Sequence, residues 1–206
     1  LGLFDDPYKN FNPQRADSVT LTAENKNVAR IAAQKSFVLL KNDKHALPLK
    51  KNSKIALIGP FADDCSEMLS SWSPLGDIKS IISIYEGLKK QNPNVVYARG
   101  SQVNSDTLFN KKRKGKYDIT EQEKLVNEAL KIANESDVIV AVLGESKEMS
   151  GEAKSRADIS IPECQVELLK VLRATGKPVV LLMMSGRPLT IENLLQYTDA
   201  TLAIWR

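Results

Sequence analysis

The chain has 206 residues, 42% hydrophobic and 26% charged. That composition excludes a disordered chain and is enough for one core that needs neither disulfide nor metal to hold it. Its 29 Lys and Arg against 25 Asp and Glu leave a mild +4, concentrated at Lys111, Lys112, Arg113, Lys114 and Lys116; this run lies along no helix face and interleaves no aromatics, so it reads as a solvated loop and no nucleic-acid partner is expected.

Leu1 opens the chain in place of methionine, with no charged head and apolar stretch behind it, so the sequence reads as a processed or excised piece. Residues 1–20 carry Gly2, Pro7 and Pro13 and no apolar period, and read as a connector. A helix is predicted from Thr22, whose hydroxyl can cap it, with Val28, Ile31, Ala32 and Ala33 on one stripe, running to Leu39 or Leu40. His45, the one histidine, falls in the turn Asn42-Asp43-Lys44-His45 and reads as an exposed, non-catalytic imidazole.

After Pro48, short apolar runs alternate with helical patterns. Strands are predicted at Ile55–Ile58, Val95–Ala98, Val138–Leu143, Val179–Met184 and Ala200–Trp205. Helices are predicted at Ser80–Lys90, Thr120–Ala133, Pro162–Ala174 and, briefly, Thr190–Gln196. The longest apolar runs have six residues, against the ~20 needed to cross a bilayer, so no membrane span is expected. The strand runs lack alternation, which requires both faces of the sheet to be covered. The fold class that follows is α/β, a mostly parallel open sheet sandwiched between helices in three layers. Cys65 and Cys164, far apart and in no CxxC, exclude the usual zinc spacings and read as two buried free thiols; no metal or other cofactor is implied.

Loops at the carboxyl ends of such strands collect the ligand chemistry. Those from Gly59 to Gly76, Gly100 to Tyr117 and Gly144 to Pro162 far exceed the usual length of about 2–6 residues. The third holds four carboxylates, Glu145, Glu148, Glu152 and Asp158, with glycines at 144 and 151 that would let it move. A carboxyl on a moving loop can enter a site, lose water and gain the raised pKa that proton donation needs. The alternative is a polar surface loop whose acids pair with Lys147, Lys154 and Arg156. Asp63 and Asp64, at the end of the first parallel strand, lack the partner residues of a magnesium-binding receiver site, and Ile58-Gly59-Pro60-Phe61 is no dinucleotide-binding GxGxxG. Trp72, in a loop too polar to be core, could stack on a sugar face or cover the sheet end. Trp205 reads as packing at a strand end. Arg187, in Ser185-Gly186-Arg187-Pro188, could orient a carboxylate or a sugar hydroxyl, or form a structural salt bridge.

Several segments together carry a resemblance: Gly2-Leu3-Phe4-Asp5-Asp6-Pro7-Tyr8, Lys35-Ser36-Phe37-Val38-Leu39-Leu40-Lys41-Asn42 with Leu47-Pro48-Leu49, Ile55 to Pro60, Ser71-Trp72-Ser73, Ser136 to Glu145, Ser150-Gly151-Glu152-Ala153-Lys154-Ser155-Arg156, Ile161-Pro162 with Gln165, and Lys177-Pro178 to Leu189. In this order they resemble the second, α/β sandwich domain of glycoside hydrolase family 3, bacterial β-glucosidase branch, over nearly the whole chain. The resemblance implies a retaining exo-acting β-glucosidase that releases terminal β-linked glucose from a β-glucoside or oligosaccharide. It further implies an amino-terminal (β/α)₈ barrel of the same parent chain as partner and supplier of an aspartate nucleophile, and a periplasmic or secreted location. Glu152 is then the general acid/base, and Trp72, Ser150 and Arg156 are the expected substrate-binding residues. Residues 1–20 would be the barrel's tail and linker and 21–206 the sandwich domain, cut before the glycine-rich turn that normally follows. Without the nucleophile the 206 residues are expected to be inactive alone. A non-catalytic glycan-binding or interaction module, gripping sugar through Trp72, is the alternative.

Overall fold

A computed structural model describes residues 1–73, 75–106 and 116–206, so the basic run at 111–114 lies outside the described residues. The chain divides into two compact units, Leu1–Phe37 and Val38–Arg206, so the break falls after Phe37 and not near residue 20. In the first unit, helix α1 (Pro13–Val19) interrupts what reads in sequence as a connector. Proline fits its first turn, where the missing N–H has no partner to lose, and the Asn12 side chain accepts from the Arg15 N–H at 3.1 Å. Helix α2 (Ala23–Ser36) starts as expected, with the Thr22 hydroxyl accepting from the Asn25 N–H at 3.1 Å. It stops at Ser36, short of the predicted end.

The residues assigned to the end of that helix form a strand instead, β1 (Val38–Asn42), which opens the second unit. It is followed by β2 (Ile55–Ile58), the single-turn helix α3 (Cys65–Met68), α4 (Ile84–Gln91), β3 (Val95–Ala98), α5 (Ile119–Asn134), β4 (Val138–Gly144), α6 (Glu163–Ala174), β5 (Val179–Ser185) and β6 (Ala200–Trp205). Between β5 and β6 only the 3₁₀ turn Leu195–Tyr197 forms where a short helix is predicted. There the Lys41 ammonium takes the Leu195 and Thr198 carbonyls at 2.7 and 2.6 Å, so these groups are satisfied without a longer helix.

The strands lie in the order β1-β6-β5-β4-β2-β3, all parallel except β1, which runs antiparallel to β6 at one edge. Successive residues point to opposite faces, and both faces are buried. Along β4, Ile139, Ala141 and Leu143 join one cluster with Ala129 and Ala133 of α5 and Leu168, Leu169 and Leu172 of α6. Val138, Val140 and Val142 join a second cluster with Phe61 and, from α4, Ile84, Tyr85 and Leu88. The expected three layers are therefore present. Trp205 lies at the end of β6 with 38% of its surface exposed, so it is not a core residue. Both cysteines are free; Cys164 is buried as expected, whereas Cys65 is only partly so.

Candidate functional site

Numbered in chain order, the parallel strands lie 2-1-3-4-5, and the order reverses between β2 and β4. In open α/β sheets ligands bind outside the carboxyl ends of the strands at such a reversal, where adjacent connections leave toward opposite faces. The two long loops of greatest chemical interest leave from these two strands: residues 59–76 from β2 and residues 144–162 from β4.

Both exits are built in the same way. Gly59 (φ +143°) and Gly144 (φ +146°) press their backbones against the next strand, so that a Cβ would lie 2.0 Å from the Val142 oxygen and 1.9 Å from the Met184 oxygen. Gly144 is thus required for close approach and is not a hinge. Its N–H donates to the buried Gln165 side-chain oxygen at 2.8 Å, and its carbonyl accepts from the Gln165 amide at 3.1 Å.

The two loops are stitched to each other. On the first, Asp64 caps α3 by accepting from the Ser66 and Glu67 N–H groups, and Asp63 accepts from the Ser83 hydroxyl at 2.6 Å. Both acids therefore serve the fold. Among the described residues no group of three His, Cys, Asp or Glu could hold a metal ion. Glu67 accepts the Lys147 N–H at 2.5 Å, and the Lys147 ammonium donates to the Ser66 hydroxyl at 2.6 Å. The Ser71 hydroxyl is within hydrogen-bond reach of the carbonyls of Lys147 and, at 2.8 Å, Ser150. Gly151 lies so near that an added Cβ would sit 3.1 Å from the Ser71 Cβ. Trp72, next to this junction, is 67% exposed and does not cover the sheet end.

The second loop's four carboxylates divide sharply. Glu145 is fully buried, 2.6 Å from Arg156 Nη1 and 3.3 Å from Arg187 Nε. The latter contact is an ion pair without hydrogen-bond alignment, which leaves Glu145 Oε2 and Arg187 Nε unsatisfied. Glu148 pairs with Lys154 at 3.1 Å. Asp158 accepts the Ser160 N–H at 2.8 Å, which holds its carboxyl below the usual range. Glu152 alone is exposed at the tip with no hydrogen bond or ion pair among the described residues. Pairing with loop cations, the alternative reading of these acids, thus accounts for Glu145 and Glu148 and not for Glu152.

The other expected residues lie nearby. Ser150 is partly buried, its hydroxyl packed against Gly186 at the end of β5. Arg156 spends one nitrogen on Glu145 and another on the Ser160 carbonyl at 3.1 Å, and lines a polar cleft of about 310 Å³ with Asn104, Asp106 and Asp158. Of the alternatives for Arg187, the structure shows the salt bridge to a carboxylate, Glu145; sequence reasoning missed that Glu145 is buried and that Arg187 also clamps the loop, its Nη2 donating to the carbonyls of Met149 (2.6 Å) and Lys154 (2.9 Å). An acidic residue immediately after an apolar strand was the available signal.

Residues 37–206 match the model of the glycosyl hydrolase family 3 C-terminal domain. The chain is 38% identical over its whole length to the periplasmic beta-glucosidase of Salmonella typhimurium, covering 28% of that protein. It is 32% identical to a beta-xylosidase of Formosa agariphila, again over the whole chain and 27% of the relative. Among solved structures, the beta-glucosidase of Listeria innocua in complex with isofagomine superposes with a TM-score of 0.84 at 35% identity, over all of this chain and 26% of that one. The chain thus spans about a quarter of the length of these relatives, and by its matched residues and its fold it belongs to the glycosyl hydrolase family 3 C-terminal domain family.

Proposed function

We propose that the chain is the acid/base-bearing domain of a larger retaining β-glucosidase, with Glu152 as the general acid/base. The observation that carries this is the position of Glu152: the one carboxylate of its loop without a partner among the described residues, at the reversal point of the sheet, joined through the Ser71–Ser150 hydrogen bond to the loop of exposed Trp72. In the first step a carboxylate from the amino-terminal barrel attacks the anomeric carbon, the glycosidic C–O bond breaks, and Glu152 passes its proton to the departing oxygen. In the second, Glu152 takes a proton from the water that displaces the sugar from the barrel carboxylate. Two such carboxyls stand about 5–5.5 Å apart in retaining enzymes, so the barrel wall would also strip water from the Glu152 tip. Trp72 offers a flat apolar face to a sugar ring, and Ser150 and Arg156, on the second loop, are the polar side chains proposed to bind it.

The relatives named beta-glucosidases support glucose as the sugar, and the one named periplasmic supports a periplasmic or secreted location. The beta-xylosidase relative makes a β-xyloside the competing substrate. The test is Glu152→Gln and Glu152→Ala in the full-length protein. Turnover of an alkyl β-glucoside should fall by about 10²–10⁴-fold, and that of a dinitrophenyl β-glucoside, whose leaving group needs no proton, far less in its first step. Azide, which needs no deprotonation, should restore turnover of the dinitrophenyl substrate by Glu152→Ala and yield the glycosyl azide. Equal losses on both substrates without azide rescue would remove the assignment. The isolated 206 residues should hydrolyse neither.

A further inference from the structure

We propose that Arg187 is a positioning residue for Glu152, closing the tip that carries it from outside the loop. This rests on the reading of Glu152 as acid/base. The Nη2 group of Arg187 has two hydrogens, and the carbonyls of Met149 and Lys154 stand 2.6 and 2.9 Å away to receive them. Between those carbonyls lie only Ser150, Gly151, Glu152 and Ala153, so one nitrogen draws together both ends of a short Ω of backbone. Within it the residues on either side of Glu152 have positive φ, +128° at Gly151 and +56° at Ala153. For Ala153 that conformation costs about 1–2 kcal/mol and persists only where the surroundings enforce it.

The enforcement comes from the end of β5. Arg187 is held there by its ion pair to buried Glu145, and the Ser185 hydroxyl bonds the Arg187 carbonyl at 2.7 Å. The Ser150 hydroxyl lies 2.3 Å from where a Cβ on Gly186 would sit, so the strand end and the tip are in direct contact. A planar guanidinium can serve two carbonyls with one nitrogen while its Nε faces a carboxylate; a lysine ammonium has no such second nitrogen. The direction of Glu152 is therefore set by a residue about 35 positions away in sequence that need not touch substrate.

The experiment compares Arg187→Ala, Arg187→Lys and Glu152→Gln in the full-length protein, with kinetics on alkyl and dinitrophenyl β-glucosides and amide hydrogen exchange. Arg187→Ala should lower kcat on the alkyl substrate by about 10²-fold, with KM within a few-fold and a much smaller loss on the dinitrophenyl substrate. Amides 150–155 should exchange faster while those of β4 and β5 stay protected, and Arg187→Lys should fall between. Wild-type discrimination between the substrates together with unchanged exchange at 150–155 would overturn the proposal, even where Glu152→Gln behaves as expected. If Glu152→Gln shows no dependence on leaving group, the acid/base reading fails, whereas faster exchange at 150–155 would still register the clamp. Equal loss on both substrates with exchange raised throughout β4 and β5 would assign Arg187 to general stability and also overturn the proposal.

Discussion

Glu145→Gln tests whether the buried acid at the root of the second loop holds the loop through charge. Breaking a buried ion pair by removing one partner costs about 3–5 kcal/mol, because the remaining charge is left uncompensated. Here the lost carboxylate is fully buried, but the arginines left behind are 25% and 24% exposed and can recover part of their hydration. Glutamine also keeps an oxygen for the 2.6 Å contact with Arg156. Both effects reduce the penalty, and we expect about 2–3 kcal/mol, equivalent to a fall in Tm of roughly 5–10 °C for a chain of this size. The assay is urea denaturation followed by circular dichroism, in which the midpoint should drop at constant slope. Arg156→Gln alone, and combined with Glu145→Gln, completes a cycle whose coupling should exceed about 1 kcal/mol. A change below about 0.5 kcal/mol, well under the cost expected for breaking a buried ion pair, would mean that the desolvation of Glu145 cancels its attraction to both arginines, and the cluster would not be what anchors the loop.

Gly144→Ala should be among the most damaging single substitutions, costing about 4 kcal/mol or more, since its Cβ would meet the Met184 carbonyl at 1.9 Å. Gly87→Ala, inside α4 with open space around it, should instead stabilise by roughly 0.5–1 kcal/mol; the same denaturation assay compares them, and equal effects would contradict the packing argument. Burial, outweighing the Lys147 N–H and Arg206, pushes the Glu67 carboxyl up. Between the ordinary glutamate value and that raised value the folded state binds a proton the unfolded state has released, so this residue's contribution to stability falls as pH rises through the window. Urea midpoints of wild type relative to Glu67→Gln, from pH 3.5 to 8, should therefore decline with rising pH and then level off; a rising difference would reverse the assignment.

The layered fold is legible in the sequence because central strands buried on both faces appear as unbroken apolar runs, as at Ile55–Ile58, and the edge strand Val95–Ala98 and the strand Ala200–Trp205 are also bounded in the structure as in the sequence, each set off from its neighbours by polar residues or a turn. Strand β1 was hidden for the opposite reason. It is an edge strand whose Val38, Leu39 and Leu40 are each about half exposed, and it follows α2 with a single residue between, so its apolar residues simply prolong the helical stripe. Helix α1 was hidden because it buries nothing and so shows no period, although Asn12-Pro13 gave its cap and first turn. At the site, the sequence shows four acids and three cations in one loop but not how they pair. The pairing of Glu145 depends partly on Arg187, just beyond β5, which arrives from a distant part of the chain, while the start of the loop is fixed by Gln165 bonding Gly144. The exposed Trp72 could be identified as non-core from its polar neighbours alone.

The paired glycines at the ends of β2 and β4 have a wider consequence. Because Gly59 and Gly144 rest on the carbonyls of neighbouring strands, the heading of each outgoing segment is dictated by the sheet and owes nothing to the residues that follow. Those residues can lengthen, shorten or change chemistry while their starting line stays fixed. A scaffold with such launch points tolerates change in the crest between Lys147 and Lys154 while the layers beneath it stay untouched.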